Sequence, residues 1–154
     1  MNQNTIITNN TKIDVKAELL NKLPETTVGN RIRKQRLLKG LSQEELTRYI
    51  GVADGTMDTY EFDRAFPSPE KLKKIAECLE VPLEYFFDGY YEFVVGDYGK
   101  KIRDWREKNK LTLKEAAMVI GVSEKTWGWW EKGVKWPDRV KYWKLIDAMN
   151  KKDL

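Results

Sequence analysis

The chain has 154 residues, room for one average domain or two small ones, and its 41% hydrophobic and 34% charged residues are an ordinary globular balance. It has no histidine and a single cysteine, Cys78, so the commonest general base and metal ligand are missing and no intrachain disulfide can form. With no metal-ligand cluster, nucleophile elbow or phosphate loop, neither enzymatic activity nor a cofactor is expected. The opening MNQNTIITNN lacks the basic head and apolar core of a secretory signal, and no run approaches the roughly 18 apolar residues of a membrane span, so a cytoplasmic protein with no membrane partner is expected.

Residues 1–26 read as a tail. Its first ten residues are polar and expected to fray, and 12–23 (KIDVKAELLNKL) set Val15, Leu19 and Leu23 on one side of a short amphipathic helix, either packed on the following domain or serving as a dimerisation arm. A first domain is expected over 27–89. Thr27 caps a helix carrying Val28, Ile32 and Arg36 that stops at Gly40. Ser42-Gln43-Glu44-Glu45 is a capping box opening a second helix that stops at Gly51. A third helix is predicted over about 54–61, where Ala53 makes a poor cap. A fourth starts at Ser68-Pro69 and ends before Val81-Pro82, and Leu83–Phe87 reads as a short fifth. Residues 90–96, bracketed by Gly89 and Gly96, are expected to be an extended, packed linker whose aromatics join the two halves.

Residues 97–154 then repeat this pattern. Laid over 27–80 without a gap, residues 97–150 share 14 identities in 54 columns, where chance gives about three. The matches include Gly29/Gly99, Arg36/Arg106, Ile50-Gly51-Val52/Ile120-Gly121-Val122, Glu61/Glu131 and Lys71/Lys141. The same caps recur: Asp97, then Thr112 with Glu115, then Ser123 for a helix over 124–132, then Asp138. Nothing alternates like a strand, so an all-α protein of two tandem domains of four to five short helices is expected. Charge divides unevenly. Residues 27–89 hold 10 basic and 11 acidic side chains, whereas 97–154 hold 15 and 9, which makes a polyanion the natural partner of the second half.

Ile32-Arg33-Lys34-Gln35-Arg36, Gly40-Leu41-Ser42-Gln43-Glu44-Glu45-Leu46, Ile50-Gly51-Val52 and Glu61 resemble the lambda-repressor-like, Cro-type (XRE) helix-turn-helix family, and Ile102 to Glu131 resemble it a second time. The resemblance implies sequence-specific binding of double-stranded DNA by a transcriptional regulator, repressor-like, with the third helix of each copy in the major groove. In the second copy it offers Ser123, Glu124, Lys125 and Trp129 to base edges, and Thr112, Lys114, Lys132 and Lys135 to phosphates. Trp129 would meet thymine methyls or sugars, or else a partner domain. In the first copy it offers Gln43, Asp54, Gly55, Thr59 and Arg64, with Asp58 beside them, so the second copy is expected to be the main reader. Arg36 with Glu61 and Arg106 with Glu131 would be structural ion pairs, and Met57, Tyr60, Trp127 and Trp130 core. The acidic first copy leaves open a degenerate module for a protein partner, an antirepressor or antitoxin-like component, and a homodimer also stays open.

Overall fold

The computed structural model describes residues 15–151, which are helical throughout, with short turns and no strand among them. The expected fraying of residues 1–10 and the start of the 12–23 helix lie outside these residues. The chain divides into two compact units between Asp88 and Gly89.

In the first unit, α1 covers residues 15–21, followed by α2 (Val28–Lys39), α3 (Gln43–Ile50), α4 (Thr56–Glu61), α5 (Pro69–Leu79) and a 3-10 turn at Leu83–Phe86. Val15 and Leu19 of α1 are 50% and 61% exposed, so the packed reading of this helix does not hold for them. The anchor lies at its carboxyl end instead: Lys34, buried, donates from Nζ to the carbonyl of Asn21, the last residue of the helix (2.8 Å), and pairs with Glu25 beyond it (3.2 Å).

Caps set the helix boundaries. The Thr27 hydroxyl accepts the Asn30 N–H (3.1 Å), and Gly40 closes α2 at φ +76°, a conformation open to glycine at little cost. Both arms of the Ser42/Glu45 capping box are formed. The third helix starts two residues later than predicted. Ala53 has no side-chain acceptor for its first N–H groups, and the chain passes through Gly55 at φ +79° before α4 begins, uncapped, at Thr56.

The second unit contains α6 (Gly89–Val95), α7 (Tyr98–Lys108), α8 (Leu113–Ile120), α9 (Glu124–Glu131) and α10 (Arg139–Asn150). The segment 90–96, expected to be extended, is mostly helical: α6 has Tyr90, Tyr91, Phe93 and Val94 buried, and the rings of Tyr90 and Phe93 lie 5.5 and 5.3 Å from that of Tyr142. Starts of α7, α8 and α10 fall seventy residues after those of α2, α3 and α5. The α9 start alone departs, because Ser123 accepts the Thr126 N–H (3.1 Å) and lets the helix begin at Glu124.

Core volumes compensate between the units. Leu46, Thr47, Met57 and Tyr60 of the first occupy the places of Ala116, Ala117, Trp127 and Trp130 in the second, all eight buried: two small residues on α8 make room for two indoles on α9. All six tryptophans of the chain lie between Trp105 and Trp143, in the second unit.

Two repeated identities acquire a physical reason here. A Cβ on Gly29 would sit 2.3 Å from the Tyr60 carbonyl oxygen and 2.7 Å from that of Glu61; on Gly99 it would sit 2.9 Å from the Glu131 oxygen and 3.0 Å from that of Trp130. These glycines let the first long helix of each unit touch the end of the third. Gly29→Ala should therefore destabilise the first unit by about 1–3 kcal/mol, read from its denaturant midpoint; an unchanged midpoint would contradict the close approach. Lys71 donates to the Ile50 and Gly51 carbonyls (3.0 and 3.1 Å) and Lys141 to that of Gly121 (3.2 Å), so a lysine from the fourth helix satisfies the carboxyl end of the second in both units.

Candidate nucleic-acid interface

In each unit the second and third helices meet at an angle held from behind by a buried ion pair. In the first, Arg36 Nε donates to Glu61 Oε1 (2.5 Å) and a terminal nitrogen to Oε2 (2.9 Å), while its other terminal nitrogen reaches the Leu41 carbonyl (2.8 Å). In the second, Arg106 makes the corresponding bonds to Glu131 (2.5 and 3.1 Å) and Leu111 (3.1 Å). Each carboxylate takes one further donor, and the donors differ: Gln43 Nε2 (2.9 Å) for Glu61, and the Trp127 indole N–H (2.6 Å) for Glu131. Burial pushes the Glu131 carboxyl up, but the bonds from Arg106 and Trp127 and the charges of Arg106 and Arg103 outweigh it and hold Glu131 below the usual carboxylate range. These pairs fix the pitch of α4 and α9 against α2 and α7, and they are too buried to meet a ligand.

On the outer side of this angle each unit has a groove at the corresponding place. That of the first unit is lined by Gln43, Glu44, Thr47, Asp54, Gly55, Met57 and Asp58, and that of the second by Leu113, Glu124, Lys125, Gly128, Trp129 and Lys132. The scaffold is common to both and the chemistry differs: three carboxylates and no cation in one, two lysines, one carboxylate and an indole in the other.

Around the second groove, Lys125, Lys132, Lys114 and Lys135 are exposed and Trp129 is partly exposed. The ammonium groups of Lys125 and Lys135 stand 4.9 and 4.1 Å from the Trp129 ring centroid, so α9 and the turn after it bring two cations to one indole. Ser123 and Glu124 are exposed at the start of α9. The Ser123 hydroxyl, already a cap, also lies 2.9 Å from the Thr126 hydroxyl, and the Thr112 hydroxyl both caps α8 and donates to Glu115 (2.9 Å). Both hydroxyls thus serve helix ends before any ligand.

Around the first groove the sequence-derived residues are less available. Gln43, expected as a DNA contact, is bonded to Glu61. Arg64 pairs with Asp58 and lies 5.4 Å over the Phe62 ring, and the Thr59 hydroxyl donates to the Thr56 carbonyl (2.7 Å). Asp54 and Gly55 are exposed in the turn before α4. The Gln43–Glu61 bond has a sequence signal after the fact: the second unit, with Leu113 at the Gln43 place, has a tryptophan at 127 to supply the missing donor.

Residues 32–86 match the helix-turn-helix family model. The match lies within the first unit and coincides with the two-helix angle described above. The chain is 43% identical over 60 residues to an uncharacterized transcriptional regulator in the ATPase CF(0) region of Rhodospirillum rubrum, covering 39% of this chain and 56% of that protein. It is 34% identical over 61 residues to an uncharacterized HTH-type transcriptional regulator of Sinorhizobium medicae, covering 40% and 44%. A further uncharacterized HTH-type transcriptional regulator, from Rickettsia conorii, is 34% identical over 77 residues, covering 50% and 61%. The chain spans about half the length of these curated relatives. No solved structure matches it. Among the described residues no helix is long and apolar enough to cross a membrane.

Proposed function

We propose that this protein is a sequence-specific double-stranded DNA-binding transcriptional regulator, repressor-like, built from two tandem helix-turn-helix domains of the XRE type, and that the second unit is the main reader. The observation that carries this is the groove between α8 and α9, whose place matches that of the groove in the family-matching unit and whose edge carries Lys125, Lys132 and Lys135. In this reading α9 enters the major groove, Lys125 donates to guanine O6 and N7, Glu124 accepts from cytosine N4, Ser123 adds a contact at the helix start, and Lys114, Lys132 and Lys135, with Thr112, hold phosphates. About five neutralised phosphates give a slope near −4 to −5 in log affinity against log salt. A flat salt response, with no retardation of any duplex in a gel, would remove the reading.

The first unit supports a second reading, as a surface for a protein partner, because Glu44, Asp54 and Asp58 face its groove where a phosphate backbone would be repelled. The two readings divide by unit and are compatible within one chain.

A further inference from the structure

We infer that the second unit selects a pyrimidine carrying a C5-methyl group, thymine or 5-methylcytosine, and that Leu113, Gly128 and Trp129 form the seat for that methyl. The inference rests on the proposal that this unit reads duplex DNA. Three features of the groove lead to it.

The first is apolar surface where the scaffold does not need it. Leu113 and Trp129 line a groove otherwise edged by charge, and the first unit folds the same two helices with Gln43 and Thr59 at these places. The second is Gly128, in the middle of α9. Glycine inside a helix costs roughly 0.5–1 kcal/mol relative to alanine. Gly29 and Gly99 are required by backbone carbonyls close by, but a Cβ on Gly128 would meet nothing within 4 Å and its φ is not positive. No packing inside the protein calls for a glycine here; what it preserves is free space on the groove side, next to Trp129. The third is the placing of charge. Lys125 and Lys135 flank the indole at 4.9 and 4.1 Å, steadying the ring between a cation on the base-edge side of a bound duplex and one on its backbone side.

Among the groups a duplex presents in its major groove, donors and acceptors dominate, and the apolar one is the C5-methyl of thymine, which 5-methylcytosine shares. An uncharged seat with spare room inside a cationic groove suits that group, and burying one methyl there is worth about fourfold in affinity.

The test starts from duplexes retained by the full chain from a random pool. Each thymine of a retained duplex is exchanged singly for deoxyuridine, which removes the methyl and leaves every hydrogen-bonding group in place. The expected result is a loss of about fourfold at one thymine, abolished in Trp129→Ala and reduced in Gly128→Ala, whose added methyl fills the seat while favouring the helix. At that thymine, cytosine and 5-methylcytosine are then compared: recovery with 5-methylcytosine alone identifies the methyl itself as the ligand, and no recovery restricts the selection to thymine. If every deoxyuridine duplex binds like its parent, the inference fails and DNA binding stands. If the pool yields no duplex at all, the DNA reading fails and the inference with it.

Discussion

Replacing Glu61 by alanine is expected to destabilise the first unit by about 3–5 kcal/mol. The Glu61 side chain is fully buried and that of Arg36 is 9% exposed, so the guanidinium left behind keeps its charge in a place water barely reaches. Gln43 loses an acceptor in the same step. Small domains hold about 0.05–0.15 kcal/mol per residue, so a loss of this size takes at least about a third of what a unit of this length has. The midpoint of denaturant unfolding, at unchanged slope, is the measurement. The double change Arg36→Met with Glu61→Leu should cost far less, because it removes both charges and fills the space. A loss under about 1 kcal/mol for Glu61→Ala would mean that the pair is solvated and does not hold the angle between the helices.

The second large effect is on DNA affinity. Changing Lys125, Lys132 and Lys135 together to alanine is expected to weaken duplex binding by about two orders of magnitude at moderate salt. It should also bring the salt slope from near −4 or −5 to between about −2 and −3, since the two lost phosphate contacts, those of Lys132 and Lys135, each remove about 0.9 from it. The single changes should part company. Lys125→Ala relaxes sequence preference, because its target is a base edge, whereas Lys135→Ala weakens all duplexes alike. Lys100→Ala is the control: its ammonium is paired with Asp104 at 2.5 Å on an exposed face of α7. Equal effects from Lys125→Ala and Lys135→Ala would contradict the division of roles, and a triple variant binding like the parent would move the interface elsewhere.

The helices were legible in the sequence wherever a boundary rested on a local device. Ser42, Thr112, Ser68 and Asp138 each supply a side-chain acceptor three residues ahead of a backbone donor, and Gly40, Gly51 and Gly121 adopt the positive φ that ends a helix. Where the device was weak, the boundary moved: with Ala53 unable to cap, α4 waits until Thr56. Segment 90–96 departs from its expected extended path for another reason. Its flanking glycines mark ends, but an extended and a helical path share those ends, and the choice falls to packing of Tyr90 and Phe93 against Tyr142, fifty residues away and outside any local window. The groove residues were visible as a pattern borrowed from a family, while their availability was not. Nothing near Gln43 in the chain announces Glu61 as its partner, and the common reason for Gly29 and Gly99 appears only when the carbonyls of the third helix lie beside them.

The confinement of tryptophan to one half of the chain has an optical consequence. Excitation at the red edge, where tyrosine does not absorb, reports on the second unit alone, whereas far-ultraviolet dichroism sees the helices of both. Two spectra of one unlabelled sample thus follow the melting of each half separately, with Trp127 and Trp130 emitting from an interior that turns wet only when that half comes apart.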